Sequence, residues 1–234
     1  MPNRGMSPLR CGSIKHFAVF IALISGGLDT APAIDFLASC FFSQDAKLPL
    51  PDKHFNVTAT RKHKHYVFAF NLTNGTLHTG VIYGQGEHAV SCTSGRSTAV
   101  DVICFVKTVG WHATYTGSVY NGTKPNGQGS PETFKVNITI DEYQQPPNPA
   151  DITLRLQATQ SFGIKVSAWP TEFIVEITTV PPFEQMQIFG GDTGLAEMVK
   201  YLFDDFVWDK IKPVMMKALK YDYADHVKNQ IKIY

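Results

Sequence analysis

Between Tyr66 and Val180 apolar and polar residues alternate with a period of two, the pattern of strands that face a core on one side and water on the other. Phe134, Val136, Ile138 and Ile140 alternate with Lys135, Asn137 and Thr139. The same rhythm runs through Ile152, Leu154, Leu156 and Ala158, through Ile164, Val166 and Ala168, and through Phe173, Val175 and Ile177. Val100, Val102, Cys104 and Val106 form another series, in which the intervening Ile103 and Phe105 predict burial on both faces. Turn signals separate the runs at Asn74-Gly75, Gly84-Gln85-Gly86, Ser94-Gly95, Asn121-Gly122, Asn126-Gly127 and Gln145-Pro146-Pro147-Asn148-Pro149. A large, mostly antiparallel meander is predicted.

After Pro181-Pro182 the period becomes helical, with Leu195, Met198, Val199, Leu202, Phe203 and Phe206 on one stripe. Asp192 or Thr193 can cap the start, following Gly190-Gly191. Pro213 lies inside the pattern and must either kink a long helix or open a second one after Lys212; Val214, Met215, Ala218 and Leu219 continue the stripe beyond it. The stripe is wide and rich in Met and aromatics, which suits a core or a ligand-lined groove equally in spacing. Strands followed by a long amphipathic helix make the chain an α+β protein.

The start of the chain changes the context of everything after it. Arg4, Arg10 and Lys15 lead into the apolar run Phe17–Ile24, then a Gly-containing exit and Ala31-Pro32-Ala33, an A-x-A-like cleavage site. A spanning helix needs about 20 apolar residues, so the run reads as a removable signal peptide over residues 1–33 rather than an anchor. Residues 34–234 are then expected to be one secreted, extracellular domain without a stable membrane anchor. In it Asp35–Phe42 has the pattern of a brief helix, with Phe36, Leu37, Cys40 and Phe41 on one side, before Pro49 and Pro51.

A formal net charge of +1 implies no general pull toward nucleic acid or anionic membrane. Arg61-Lys62-His63-Lys64-His65 is the one dense basic cluster and reads as a solvated strand edge. Cys92 and Cys104 flank a polar, turn-forming stretch that would set their sulfurs opposite each other, and a bridge there would contribute on the order of 3 kcal/mol. Cys40 is left as a free thiol, an intermolecular partner, or the true partner of one of the other two. Five Asn-x-Thr sequons follow the leader, at Asn56, Asn71, Asn74, Asn121 and Asn137, and in an exported chain each is a candidate glycosylation site. Asn71 and Asn74 are too close for both to be fully occupied.

No catalytic constellation stands out: there is no G-x-S-x-G, P-loop, H-E-x-x-H or C-x-x-C pattern, so an enzyme and a cofactor are not expected. Gly190-Gly191-Asp192-Thr193-Gly194 lacks a following Lys and reads as a loop plus helix cap. His63 and His65 have no Cys or carboxylate beside them at ligand spacing, and no metal site is expected. Asp204, Asp205 and Asp209 read as solvating charges on the polar side of the helix, and Trp111-His112 and Trp169-Pro170 as strand-end anchors.

Two stretches carry a family resemblance. Leu72-Thr73-Asn74-Gly75-Thr76-Leu77-His78-Thr79-Gly80-Val81 resembles the early strand, and Phe203-Asp204-Asp205-Phe206-Val207-Trp208-Asp209-Lys210-Ile211-Lys212-Pro213 the closing helix, of the tubular lipid-binding superfamily of arthropods. That group includes the takeout and juvenile-hormone-binding proteins and the group 7 mite allergens, and the order of elements is similar from about Leu48 to Lys228. The resemblance implies a highly curved antiparallel β-sheet wrapped around a long C-terminal amphipathic helix. An apolar groove would lie between them for a lipid or other elongated hydrophobic molecule. These relatives open with a long amphipathic helix, whereas here only Ile34–Phe42 is available, so a shallower or filled pocket is open as well. The leading expectation is a non-catalytic carrier whose ligand-binding residues are Phe134, Val136, Ile138, Leu154, Leu156, Phe173, Val175, Leu202 and Phe206. The alternative is a secreted glycoprotein that binds a protein partner and whose core is purely structural.

Overall fold

The computed structural model describes residues 45–80, 90–94, 101–122, 130–141, 143–144, 147–148, 151–159, 164–180 and 182–230. The expected leader, the Asp35–Phe42 segment, Cys40 and the Gly84–Gly86 and Asn126-Gly127 turn signals lie outside them. An α+β architecture emerges, of antiparallel sheets that are strongly curved but not closed, with one long C-terminal helical rod.

The larger sheet runs β1 (Lys47–Leu50), β3 (Lys64–His78), β6 (His112–Asn121), β7 (Glu132–Asp141), β12 (Ile174–Val180), with β2 (Lys53–Arg61) also paired to β3. The smaller runs β11 (Ile164–Pro170), β10 (Asp151–Ala158), β5 (Asp101–Lys107), β4 (Val90–Ser94); β8 (Tyr143–Gln144) and β9 (Pro147–Asn148) form a separate ladder. The chain passes from the larger sheet to the smaller and back twice, as β3 to β4, β5 to β6, β7 to β10 and β11 to β12. Each sheet therefore contains non-local pairings, β3–β6 and β7–β12 in the larger and β5–β10 in the smaller. In the smaller sheet Cys92 stands directly opposite Cys104 and the two are bridged, as the flanking turn stretch predicts. Phe105 departs from the expectation of burial on both faces of its strand: it is 42% exposed, because nothing among the described residues covers the outer side of this sheet there.

Asn74-Gly75 is not a turn. It is a bulge inside the 15-residue β3, where Asn74 and Gly75 together oppose the single residue Tyr115 between Thr73↔Thr116 and Thr76↔Thr114. The extra residue switches the parity of the strand, so Phe68, Phe70 and Leu72 before it and Leu77 after it all face the core. Asn74 takes the left-handed φ of 55° that Asn tolerates, and its amide donates to Asp52 Oδ1 at 3.0 Å. Asp52 sits in the Pro51-Asp52 break between β1 and β2, which lie end to end along the same edge of β3.

The Arg61–His65 cluster is a hairpin tip rather than a strand edge. Arg61 pairs with Lys64 across a two-residue turn in which Lys62 and His63 have φ of 50° and 61°, as a type I′ turn requires. Arg61 Nε donates to Asp192 Oδ1 at 2.8 Å, joining the hairpin to the helix start. Asp192 is the cap, its Oδ1 accepting from the Leu195 amide at 3.1 Å. Partial burial pushes the Asp192 carboxyl up, but that amide, Arg61 and Lys62 together hold it below the usual carboxylate range.

The rod comprises α1 (Thr193–Phe206), a π-helical turn (Val207–Ile211), α2 (Lys212–Lys220) and α3 (Asp222–Gln230). Pro213 cannot donate to a carbonyl four residues back, and its ring would strike the Asp209 carbonyl in a regular helix. The chain widens just before it, with the Lys212 amide reaching Val207 O, five residues back. Pro213 thus does not stop the rod: it stands in the first turn of α2, which follows the π turn without a break. α1 packs on β2, whereas α2 and α3 pack on β11 and α2 also reaches β1.

Gly75 tests the bulge. A Cβ built there would lie 2.3 Å from Tyr115 Cε1 and 2.9 Å from Leu50 Cβ. Gly75→Ala is expected to cost about 1–3 kcal/mol, read as a lower denaturant midpoint at unchanged slope. An unchanged midpoint would mean that this contact is not closely packed.

Candidate functional site

The nine residues expected to bind ligand divide between the two sheets and α1. Phe134, Val136 and Ile138 lie on the inner face of β7, and Val175 lies beside them on β12, opposite Ile140. Leu154 and Leu156 are on the inner face of β10 in the other sheet, next to Cys104 and Val102 across the ladder. Phe173 precedes β12, and Leu202 and Phe206 are on α1. Phe134, Val136, Ile138, Leu154 and Phe173 are buried; Leu156, Val175, Leu202 and Phe206 are partly buried against the same core.

Side chains fill the space under α1. The Phe203 ring lies 5.2 Å from Phe70, 5.4 Å from Phe183 and 6.1 Å from Phe134, and Phe206 stacks on Phe55 at 3.5 Å. Aromatic pairs at these separations contribute attraction beyond the area they bury.

Open space appears farther along the rod, between β11 and α2–α3. A cavity of about 490 Å³ is lined by Trp169, Pro170, Met216, Lys217, Lys220 and Tyr221. A second of about 290 Å³ adjoins it, sharing Trp169, Lys220 and Tyr221 and extending along Val166–Ala168 to Ala224 and Asp225. One wall is the outer edge of β11, the last strand of its sheet. The other is a helical stripe, since positions 216–217, 220–221 and 224–225 recur every four residues. Trp169 is 49% and Tyr221 52% exposed, and the Lys220 ammonium lies 5.4 Å from the Tyr221 ring centroid. Pro170 can end β11 because an edge strand does not need its amide. Behind the groove Trp111 meets the buried Tyr223 edge to face at 5.2 Å.

Sequence reasoning placed no ligand residue in this groove and read Trp169-Pro170 as an anchor. The usable signal was the width of the stripe beyond Pro213, where Met216 and Tyr221 fall outside the core-facing positions.

Other charges are accounted for locally. Lys212 is nearly buried, pairs with Glu172 and lies 4.2 Å from the Trp208 ring centroid. Asp204 departs from the expectation of a solvated charge: burial raises its pKa against the opposing pull of Lys200, and Oδ1 has no hydrogen-bond partner. His63 lies in the hairpin turn and His65 Nδ1 is 2.9 Å from Thr60 Oγ1. Among the described residues no three His, Cys, Asp or Glu side chains cluster at metal-binding distance, and no helix is long and apolar enough to cross a membrane. Of the sequons, Asn56, Asn74 and Asn137 are exposed, while Asn71 is half-buried with Oδ1 2.8 Å from His54 Nδ1. Asn121 ends β6 half-buried, and its Thr123 lies outside the described residues.

No family model and no curated protein matches the chain. Among solved structures it is similar to a lipopolysaccharide binding protein, at 10% identity and a TM-score of 0.34, over 86% of this chain and 40% of that one. The chain thus spans less than half the length of that protein, and the likeness is too distant to carry a ligand across.

One electrostatic feature near the first strand is testable. His78 stands opposite His112 on β3 and β6, their rings stacked at 4.9 Å. Burial first, and His112 second, lower the His78 pKa from its ordinary 6.5, and burial lowers that of His226 as well. The unfolded chain therefore takes up these protons more readily than the folded one, so stability falls as pH drops from about 7.5 to about 6. Thermal melts across that range should show a falling midpoint, less steep in His78→Gln; an equal slope in the variant would remove His78 as a cause.

Proposed function

We propose that the chain is a secreted, non-catalytic carrier of lipids or other elongated hydrophobic molecules, on the plan of the tubular lipid-binding proteins its sequence resembles. The observation that carries this reading is the open groove between β11 and α2–α3, faced by Trp169, Pro170, Met216 and Tyr221. Its volume lies in the range of about 300–1,000 Å³ usual for small-molecule sites, and its wall is mostly apolar with few polar groups. Affinity would come from apolar area removed from water, at roughly 25 cal/mol per Å². Export is supported by the leader pattern and by the Cys92–Cys104 bridge, which suits an oxidising compartment.

A second reading, the glycoprotein that binds a protein partner, is favoured by one specific observation. The space under α1 is filled by phenylalanine rings, as a purely structural core would be.

Titration with a fluorescent long-chain probe separates the two. Trp169→Ala with Tyr221→Ala should weaken uptake at least tenfold, since each buried aromatic contributes about 1.5–3 kcal/mol. Leu202→Ala should leave uptake nearly unchanged. The reverse result would put the ligand under α1, and no uptake by the unaltered protein would leave the protein-binding reading.

A further inference from the structure

We propose that the groove between β11 and α2–α3 takes an amphiphile with an anionic head group, held by Lys217 and Lys220, its chain lying over Trp169, Pro170, Met216 and Tyr221. The inference rests on the carrier reading and adds the chemical class of the ligand.

Charge in the larger cavity is one-sided. Lys217 and Lys220 line it, no carboxylate does, and neither ammonium has an ion-pair partner among the described residues. The two lysines are three residues apart on α2, a spacing that puts side chains on one helix face, so both can reach one bound anion. Lys220 is already drawn over the Tyr221 ring, which places its charge at the apolar wall. The one acidic lining residue, Asp225, is in the adjoining smaller cavity, one helical turn beyond Tyr221. It disfavours a head group at that end and directs the acid toward Lys217. Both lysines are exposed, so substituting them leaves the core untouched.

A cavity of about 490 Å³ is a single-molecule site, which selects a free amphiphile over a bilayer surface. The two lysines hold the acid as point charges, since no guanidinium fork lines the cavity, and a carboxylate is the probe that tests it.

The test is equilibrium binding of oleate and of oleyl alcohol, which share a chain length and differ in charge, to the full-length chain below the ligands' aggregation concentrations. Three proteins are compared: the unaltered chain, Lys217→Glu with Lys220→Glu, and Lys217→Arg with Lys220→Arg. The unaltered protein should bind oleate at least tenfold more tightly than the alcohol, with the preference shrinking as salt is raised. Charge reversal should remove the preference, and the arginine pair should keep it. Equal affinity of the unaltered protein for both ligands, or a preference that survives charge reversal, overturns the head-group assignment and leaves the carrier standing. Should the reversed pair fail to fold, the oleate-to-alcohol ratio of the unaltered protein and its salt dependence decide alone. Binding of neither ligand overturns the carrier reading itself. Co-sedimentation with phosphatidylglycerol vesicles without uptake of monomeric oleate overturns the proposal in favour of a membrane surface.

Discussion

One helical rod has to cover two sheets, and the spacing of its buried residues is what lets it do so. Leu195, Val199, Phe203, Val207, Ile211, Met215, Leu219, Tyr223 and Val227 are all buried, each four residues after the last. At 3.6 residues per turn, a step of four overshoots a full turn by about 40°, so a strict four-residue repeat winds around the rod instead of running along it. Near Asp192 the stripe looks at the larger sheet; past Pro213 it has turned toward β11 in the smaller one. The π turn at Val207–Ile211 belongs to the same solution, because its wider coil nearly matches a step of four and slows the drift where the rod changes partners. A proline that would break an ordinary helix sits at that changeover, and removing the π turn would misalign every buried side chain beyond it.

Much of this was legible in the sequence, for reasons that particular elements make plain. β7, β10 and β11 announce themselves because one face is buried and one wet, and the helix start because Asp192 follows two glycines. The Cys92–Cys104 bridge follows from a turn-forming stretch between two apolar runs. The edge formed by β1 and β2 was hidden by Pro49 and Pro51 and by the density of charge at Arg61–His65. Its turn has Lys62-His63 where Asn-Gly is usual, and no local rule reads those residues as a type I′ turn. The bulge at Asn74-Gly75 carries the composition of a turn, and only the parity switch from Leu72 to Leu77 distinguishes it.

The groove was less legible because periodicity reports burial and a groove is a failure of burial. Phe134, Val136, Ile138 and Leu154 face inward as their alternation says, but an inward face is filled or empty according to what the opposite wall supplies. Under α1 the opposite wall supplies Phe183 and Phe203, which pack onto Phe70 and Phe134 of the sheet. Beside β11 it supplies Met216, Lys217, Lys220 and Tyr221, whose shape and charge do not close on the strand edge.

The two ends of the rod therefore do different work. At the α1 end, aromatic packing and the Arg61–Asp192 contact fix the helix start to the β2–β3 hairpin, and Gly194 keeps the guanidinium close, since a Cβ there would lie 2.3 Å from Arg61 Nη2. At the α2–α3 end, Trp169 and Tyr221 stay half exposed, an arrangement that costs water-ordered apolar surface in the free protein. A ligand that covers those rings recovers that cost and stabilises the folded chain by mass action, without requiring the phenylalanine core to open. The packing that fixes the rod and the surface open to a ligand thus lie at different places along it, Phe203 and the Arg61–Asp192 contact at α1 and the half-exposed Trp169 and Tyr221 beside α2–α3.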